Sequence, residues 1–217
     1  MKVGTDSVLL GAWAPIEHCT SILDIGTGTG LLAIMAAQRN PSATITAIDI
    51  NENATMQARE NAARSPWEKR INIFTADVRE YAPPVLFDAI ICNPPFFTRS
   101  LKNPDEARAT ARHDETLSLE ELSSAATKLL ADKGCVAVVI PIERRAEILS
   151  AMSMHGLFLF RETRIRSSLQ KAPKRVLMAF KKDFPTQPLT DEICISTSSG
   201  QYTDEYKKIT KEFYLNF

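Results

Sequence analysis

The feature that most constrains this chain is the run Leu23-Asp24-Ile25-Gly26-Thr27-Gly28-Thr29-Gly30-Leu31-Leu32-Ala33. A short apolar stretch, residues 21–25, leads into it, and apolar helix formers over 31–38 follow, up to Pro41. Glycines allow a tight turn and close backbone approach to a ligand. In open α/β sheets that ligand lies at the carboxyl ends of the strands. The rest of the chain keeps the same rhythm. Strands are predicted over 43–50, 71–75, 87–92 and 135–140. Helices are predicted over 52–64, 118–131 and 143–155, with Ser118 and Glu121 at capping-box spacing and Gly134 as a stop. Strands alternating with helices argue for a parallel sheet covered on both faces. Residues 157–166 and 174–181 read as two further strands with no helix between them, so they are predicted to pair as an antiparallel hairpin. Residues 202–217 read as a short helix whose aromatic stripe docks the tail. A chain of 217 residues suits one domain. Its expected parts are an N-terminal motif and helix (1–20), an α/β core (21–182) and a tail with a short helix (183–217).

The glycine run alone does not name a cofactor. Residues 28–33 also fit G-x-G-x-x-A, a dinucleotide pattern, so a nicotinamide enzyme stays open. Three acids add information. Asp24 sits where a carboxylate would repel a pyrophosphate but could pair with a ligand ammonium. Asp49 ends the second strand, where it could accept hydrogen bonds from ribose hydroxyls of either cofactor. Asp77 follows the third strand and could accept from an adenine amino group. Aspartate also caps turns and helices, which is an ordinary reading for any one of them. Three acids on three successive strand ends favour a ligand.

The fourth strand runs into Asn93-Pro94-Pro95-Phe96-Phe97. Prolines after a strand make a stiff exit. A mere stop explains the prolines, but neither the amide before them nor the aromatic after them. A conjugated amine is a poor nucleophile, because its lone pair is delocalised. Two acceptors aimed at its N–H bonds favour the pyramidal nitrogen needed for attack. The Asn93 side-chain oxygen can supply one acceptor and the Pro94 carbonyl the other. Phe96 offers a face for stacking, worth about 1–3 kcal/mol for a base.

Composition excludes several classes. Apolar residues make up 44% and charged residues 24%, as in ordinary globular proteins. No apolar run approaches the roughly 18 residues of a membrane span, and no apolar segment follows the start as in a secretion signal. A cytoplasmic protein is expected. Cys19, Cys92, Cys135 and Cys194 are far apart and read as free thiols, and His18, His113 and His155 are equally scattered, so no metal is expected. Formal net charge is zero, yet residues 161–182 hold eight Lys/Arg against Glu162. That stretch is either a phosphate-binding face or a lysine-protected edge strand. No motif calls for a protein partner.

Taken together, the loop from Asp24 to Gly30, with Asp49, Asp77 and the turn from Asn93 to Phe96, resembles the class I methyltransferases that carry the [DNS]-P-P-[FYW] amino-methylating motif. Residues 1–13 and the tail from Tyr202 resemble, more narrowly, the bacterial adenine-N6 methyltransferases of valine tRNA. The resemblance implies a Rossmann-like α/β fold. Its sheet would be seven-stranded and mostly parallel, in the order 3-2-1-4-5-7-6, with an antiparallel last strand. It implies S-adenosylmethionine as cofactor and, as substrate, the N6 amine of the adenine beside the tRNA anticodon, flipped out of its stack. The stretch from Lys2 to Asp6, with Lys2, Gly4 and Thr5 as cofactor contacts, would lie near the methionine end. Gly26, Gly28 and Gly30 would line the cofactor beside Asp24, Asp49 and Ile50 would hold the ribose side, Asp77 and Val78 the adenine, and Asn93 would touch donor and acceptor. In that family a further stretch precedes the opening motif. Here the chain starts inside it, which leaves a shortened start or a missing RNA-binding arm. Arg99, Lys102, Lys171, Lys174 and Arg175 are the expected phosphate contacts. A protein glutamine amide, or an amine of another RNA or DNA base, remains an alternative acceptor, because the same turn serves those nitrogens. A non-enzymatic RNA-binding module is the remaining alternative.

Overall fold

The computed structural model describes residues 4–95 and 117–214. The chain starts with helix α1 (Thr5–Trp13), followed by β1 (Ser21–Ile25), α2 (Leu31–Arg39), β2 (Thr44–Asp49), α3 (Glu52–Ala63), β3 (Ile71–Thr75) and β4 (Phe87–Cys92). The second half contains α4 (Leu119–Leu129), β5 (Leu130–Pro141), α5 (Arg145–Met154), β6 (Phe158–Ser168), β7 (Arg175–Lys181), β8 (Leu189–Ser196) and α6 (Asp204–Thr210). One sheet takes all eight strands in the order β3-β2-β1-β4-β5-β7-β6-β8. Strands β1 to β5 run parallel, β7 is antiparallel to both β5 and β6, and β8 returns parallel to β6.

Both faces of the central strands are buried, which explains their unbroken apolar runs. Ile22, Ile45, Ala89, Ile91 and Val139 point to one core, packed under α1, α2, α3 and α6. Leu23, Ile25, Ile90, Val136 and Val138 point to the other, packed under α4 and α5. Each such Leu, Ile or Val contributes about 1.5–3 kcal/mol by leaving water.

The expected strand order holds, but the sheet has an eighth strand in the segment read as tail. Strand β8 buries only Ile193 and Cys194, too little apolar patterning to announce itself. Long-range side-chain pairs hold it instead. The buried Thr163 hydroxyl on β6 donates to Asp191, and Arg166 donates to Glu192 at 2.9 Å. Trp13 Nε1 donates to the same Thr163 oxygen at 2.7 Å, so one hydroxyl joins α1, β6 and β8.

Three local expectations change. Helix α4 carries the capping box of Ser118 and Glu121 but ends at Leu129, and Gly134 lies inside β5 rather than stopping a helix. At Gly134 a Cβ would come within 3.0 Å of the Asp88 carbonyl, so glycine is there for close strand approach beside the β4–β5 irregularity. The tail helix is short, Asp204–Thr210, and docks through Tyr206, whose hydroxyl meets that of Tyr214 at 3.0 Å. Most of the basic stretch is internally partnered. Arg164 pairs with Glu162, Arg166 with Glu192, Arg175 with Asp6 and Lys182 with Asp132, while Arg161 lies over the Trp13 ring. Strand β6 is therefore not a lysine-protected edge, because β8 covers it. Among the described residues no helix is long and apolar enough to cross a membrane.

Candidate active site

Four strand ends build one rim. Ile25 at the end of β1 is in register with Cys92 at the end of β4, so Gly26 and Asn93 leave the sheet side by side. Ile25 also pairs with Ile48, and Asp49 with Thr75, which brings the ends of β2 and β3 to the same edge. Moving outward from Asn93, the rim carries the glycine turn, then Asp49, then the segment that holds Asp77.

The glycine turn needs its glycines. Gly26, Gly28 and Gly30 have φ of 69°, 57° and 83°, a region that strains other residues. Gly30 also caps α2, and a Cβ there would meet Ala58 of α3 at 3.2 Å. A Cβ on Gly26 would meet nothing within 4 Å among the described residues. The turn folds over β2 through two backbone bonds to the Ile48 carbonyl.

Asp24 is fully buried beneath this turn. One carboxylate oxygen accepts from Thr27 Oγ1 at 2.6 Å and from the Ala33 amide at 3.1 Å, tying the turn to the first turn of α2. The other oxygen is buried with no partner among the described residues. Burial pushes the Asp24 carboxyl up to about 7, against the pull of those two hydrogen bonds and with a further push from Asp49. Asp24 is thus a structural cap with one unused acceptor.

Asp49 accepts from the Gly28 amide at 2.9 Å and, through its other oxygen, from the Asn51 amide at 2.9 Å. Each oxygen keeps a lone pair for a ligand hydroxyl. Ile50 beside it is 49% exposed, an apolar side chain left at the rim. Asp77 differs from expectation in its surroundings. Arg79 forks onto it, with Nε 2.9 Å from each oxygen, and reaches on to Glu121 of the α4 capping box at 3.3 Å. The Arg79 hydrogen bonds hold the Asp77 carboxyl below its usual range. Val78 buries its side chain in the core under α4.

Asn93 is half-buried, Pro94 buried and Pro95 exposed. The Asn93 Nδ2 donates to Ser7 Oγ of α1 at 2.8 Å. Its Oδ1 takes no hydrogen bond among the described residues. The neighbouring Asp6 accepts from Arg175 Nε at 2.8 Å. Consecutive residues of α1 thereby hold the proline turn and the start of β7. Gly4 caps α1, and both Gly4 and Thr5 are exposed. Lys171 and Lys174, on the exposed β6–β7 hairpin, carry no ion pair among the described residues. Lys2, Phe96, Arg99 and Lys102 lie outside the described residues. Sequence reasoning placed Asp6 near the site but missed its pairing with Arg175, and it missed Ser7 and Arg79 as site neighbours. No spacing signal marks them, since their partners are remote in the chain or shared with an acid already explained.

A sheet of this order with a single reversed strand, a glycine turn after β1 and acids beyond β2 and β3 is the class I methyltransferase architecture. The chain superposes on a predicted O-methyltransferase from Agrobacterium tumefaciens with a TM-score of 0.75, covering 95% of this chain and 96% of that one at 18% identity. A putative RNA methyltransferase from Pyrococcus horikoshii matches with a TM-score of 0.57 over 81% of this chain and 80% of its own, at 21% identity. The chain belongs to the methyltransferase small domain family, whose model matches residues 3–158. Over 216 residues, 100% of this chain and 92% of the relative, it is 45% identical to the tRNA1(Val) (adenine(37)-N6)-methyltransferase of Phocaeicola vulgatus. The protein of the same name from Flavobacterium johnsoniae is 41% identical over 218 residues, covering 99% of this chain and 93% of its own.

Proposed function

We propose that this protein transfers a methyl group from S-adenosylmethionine to N6 of an adenine in tRNA, the adenine(37) of valine tRNA named for its relatives. The reading places it in the cytoplasm with tRNA as its partner. It rests above all on the Asn93 amide. Ser7 holds its nitrogen, its oxygen takes no hydrogen bond among the described residues, and the residue leaves the sheet beside the glycine turn.

The rim suits this cofactor. The orphaned Asp24 oxygen can receive a cation, Gly26 leaves room for a ligand among the described residues, and Asp49 keeps acceptors for two ribose hydroxyls. When bound, S-adenosylmethionine supplies an electrophilic methyl group. Gly26, Gly28 and Gly30 let the backbone approach it, and Ile50 offers an apolar surface to the adenosine. Asp77 orients Arg79 and the adenine side of the rim together. Asn93 Oδ1 and the Pro94 carbonyl accept the two N–H bonds of the substrate amine and favour its pyramidal form during in-line attack. Phe96 and Pro95 flank the flipped base. No covalent enzyme intermediate is needed. Lys171 and Lys174 contact phosphates, together with Arg99 and Lys102, while Arg175 anchors α1.

The test is transfer of tritiated methyl to tRNA from cells lacking such an enzyme, followed by nucleoside analysis and mapping. N6-methyladenosine at that position of valine tRNA is expected. Label in another base, or in a protein glutamine, would overturn the assignment.

A further inference from the structure

We infer that Arg145 and Arg164, bridged by the buried carboxylate of Glu162, form a site for a backbone phosphate of the bound RNA. The inference rests on the tRNA reading and deepens it, because it names a contact surface beside the rim. Glu162 lies on β6 with 1% of its surface exposed. Its Oε2 accepts from Arg145 Nε at 2.8 Å, with Arg145 Nη2 at 2.7 Å, and its Oε1 accepts from Arg164 Nε at 3.1 Å. One guanidinium neutralises one carboxylate, so the second leaves an excess positive charge. The neighbouring pairs are balanced, Arg144 with Glu147 and Arg166 with Glu192. The donors left over are those a phosphate uses. The Arg164 side chain is 53% exposed, and neither of its Nη groups makes a hydrogen bond among the described residues. Arg145 is partly exposed and leaves Nη1 unused in the same way. A planar guanidinium binds phosphate oxygens through such N–H groups.

The carboxylate also sets the geometry. Two like charges repel, and Glu162 holds both guanidinium groups in place before a ligand arrives, which lowers the ordering cost of binding. The register puts the pair beside the rim. Glu162 and Arg164 stand opposite Met178 and Val176 of β7, on the sheet face that packs under α4 and α5. Val176 pairs in turn with Ile140, one residue before β5 ends. Arg145 opens α5 just beyond that end. In the sheet order β6 lies three strand spacings from β4, about 14 Å. That distance suits the nucleotides that flank a base drawn to Asn93.

The experiment titrates bulk tRNA against the full chain at several salt concentrations, read by fluorescence anisotropy. Arg164→Gln keeps the pair of Arg145 with Glu162. It should weaken tRNA binding about three- to fivefold at low salt and lower the slope of log K against log salt by roughly 0.7–0.9, the share of one phosphate. Turnover at saturating tRNA and S-adenosylmethionine Kd should stay within about twofold, because a phosphate contact sets register rather than chemistry. Lys133→Gln removes the same charge from an exposed position at the far end of β5 and should leave tRNA binding little changed. The decisive arm is Arg145→Gln with Glu162→Gln, which removes the anchor and leaves net charge unaltered. A built site expects a loss as large as that of Arg164→Gln, whereas general attraction between charges expects none. If that double variant no longer binds S-adenosylmethionine, it has not folded, and Arg164→Gln against Lys133→Gln decides alone. A loss in Arg164→Gln no larger than in Lys133→Gln, or unchanged tRNA binding by the folded double variant, overturns the inference. A parent that binds no tRNA at low salt overturns the tRNA reading itself.

Discussion

The two halves of the rim are built differently. The half at β1, β2 and β3 holds itself together with backbone groups close in sequence or on adjacent strands. Asp24 bonds Thr27 and Ala33, Asp49 bonds Gly28 and Asn51, and the Gly26 amide bonds Ile48. The half at β4, β6 and β7 depends on side chains far apart in the chain, in the pairs Ser7–Asn93, Asp6–Arg175 and Trp13–Thr163–Asp191. On the proposed function the first half is the donor-binding surface, which local motifs can encode. The second becomes the acceptor site only when the N-terminal helix, the hairpin and the last strand come together. Damage to the first half should therefore show mainly in cofactor affinity, and damage to the second in methyl transfer and stability.

The largest effect expected is at Asn93. Asn93→Ala removes one of two acceptors and should slow methyl transfer about 10²–10³-fold, as when a preorganised catalytic hydrogen-bond partner is removed, with S-adenosylmethionine affinity within a few-fold by calorimetry. A large drop in cofactor affinity instead would erase the contrast between the halves.

Next comes the long-range network. Thr163→Val leaves the Trp13 indole N–H without its buried acceptor and should cost about 1–3 kcal/mol of stability, read by denaturant unfolding. An unchanged midpoint would mean that β8 and α1 do not depend on this hydroxyl.

Asp24 tests the first half through pH. Its folded pKa, about 7, lies above the ordinary carboxylate value because of burial. Between about pH 4 and 7 the native state keeps a proton that the unfolded chain has released, so this group makes stability fall as pH rises. Asp24→Asn removes that dependence. Its Tm relative to the parent should improve from pH 5 to pH 8, while S-adenosylmethionine affinity drops about tenfold, the scale of one charge-assisted hydrogen bond. A Tm difference that does not change with pH would show that Asp24 ionises freely.

The smallest effect is on the hairpin. Lys171→Ala with Lys174→Ala should weaken tRNA binding several-fold at low salt. The slope of log K against log salt should shrink by roughly 0.7–0.9 for each phosphate no longer neutralised. Arg175→Ala should act differently, through α1 and the turnover rate, because Asp6 occupies its guanidinium.

Much of this molecule was legible in the chain because period and turn chemistry are local. Strands β3 and β4 lie where the apolar runs placed them, and the glycine turn adopts the backbone that only glycine tolerates easily. The acids at the strand ends were recognisable from their place after each strand. Strand β8 was not legible, because half of it is exposed and its support comes from β6. Nor was the end of α4, because Gly134 serves a close strand approach that only the folded sheet creates.

By itself, then, the sequence determined the alternation of elements, the glycine turn after the first strand and the chemical identity of the amide before the prolines. Hydrophobic periodicity and backbone sterics act over a few residues and can be read in one dimension. Tertiary structure alone decided which residue holds that amide, why most of the basic stretch is internally paired, and that the tail supplies an edge strand. Those depend on directional bonds and charge pairs between segments that meet only after the sheet has formed.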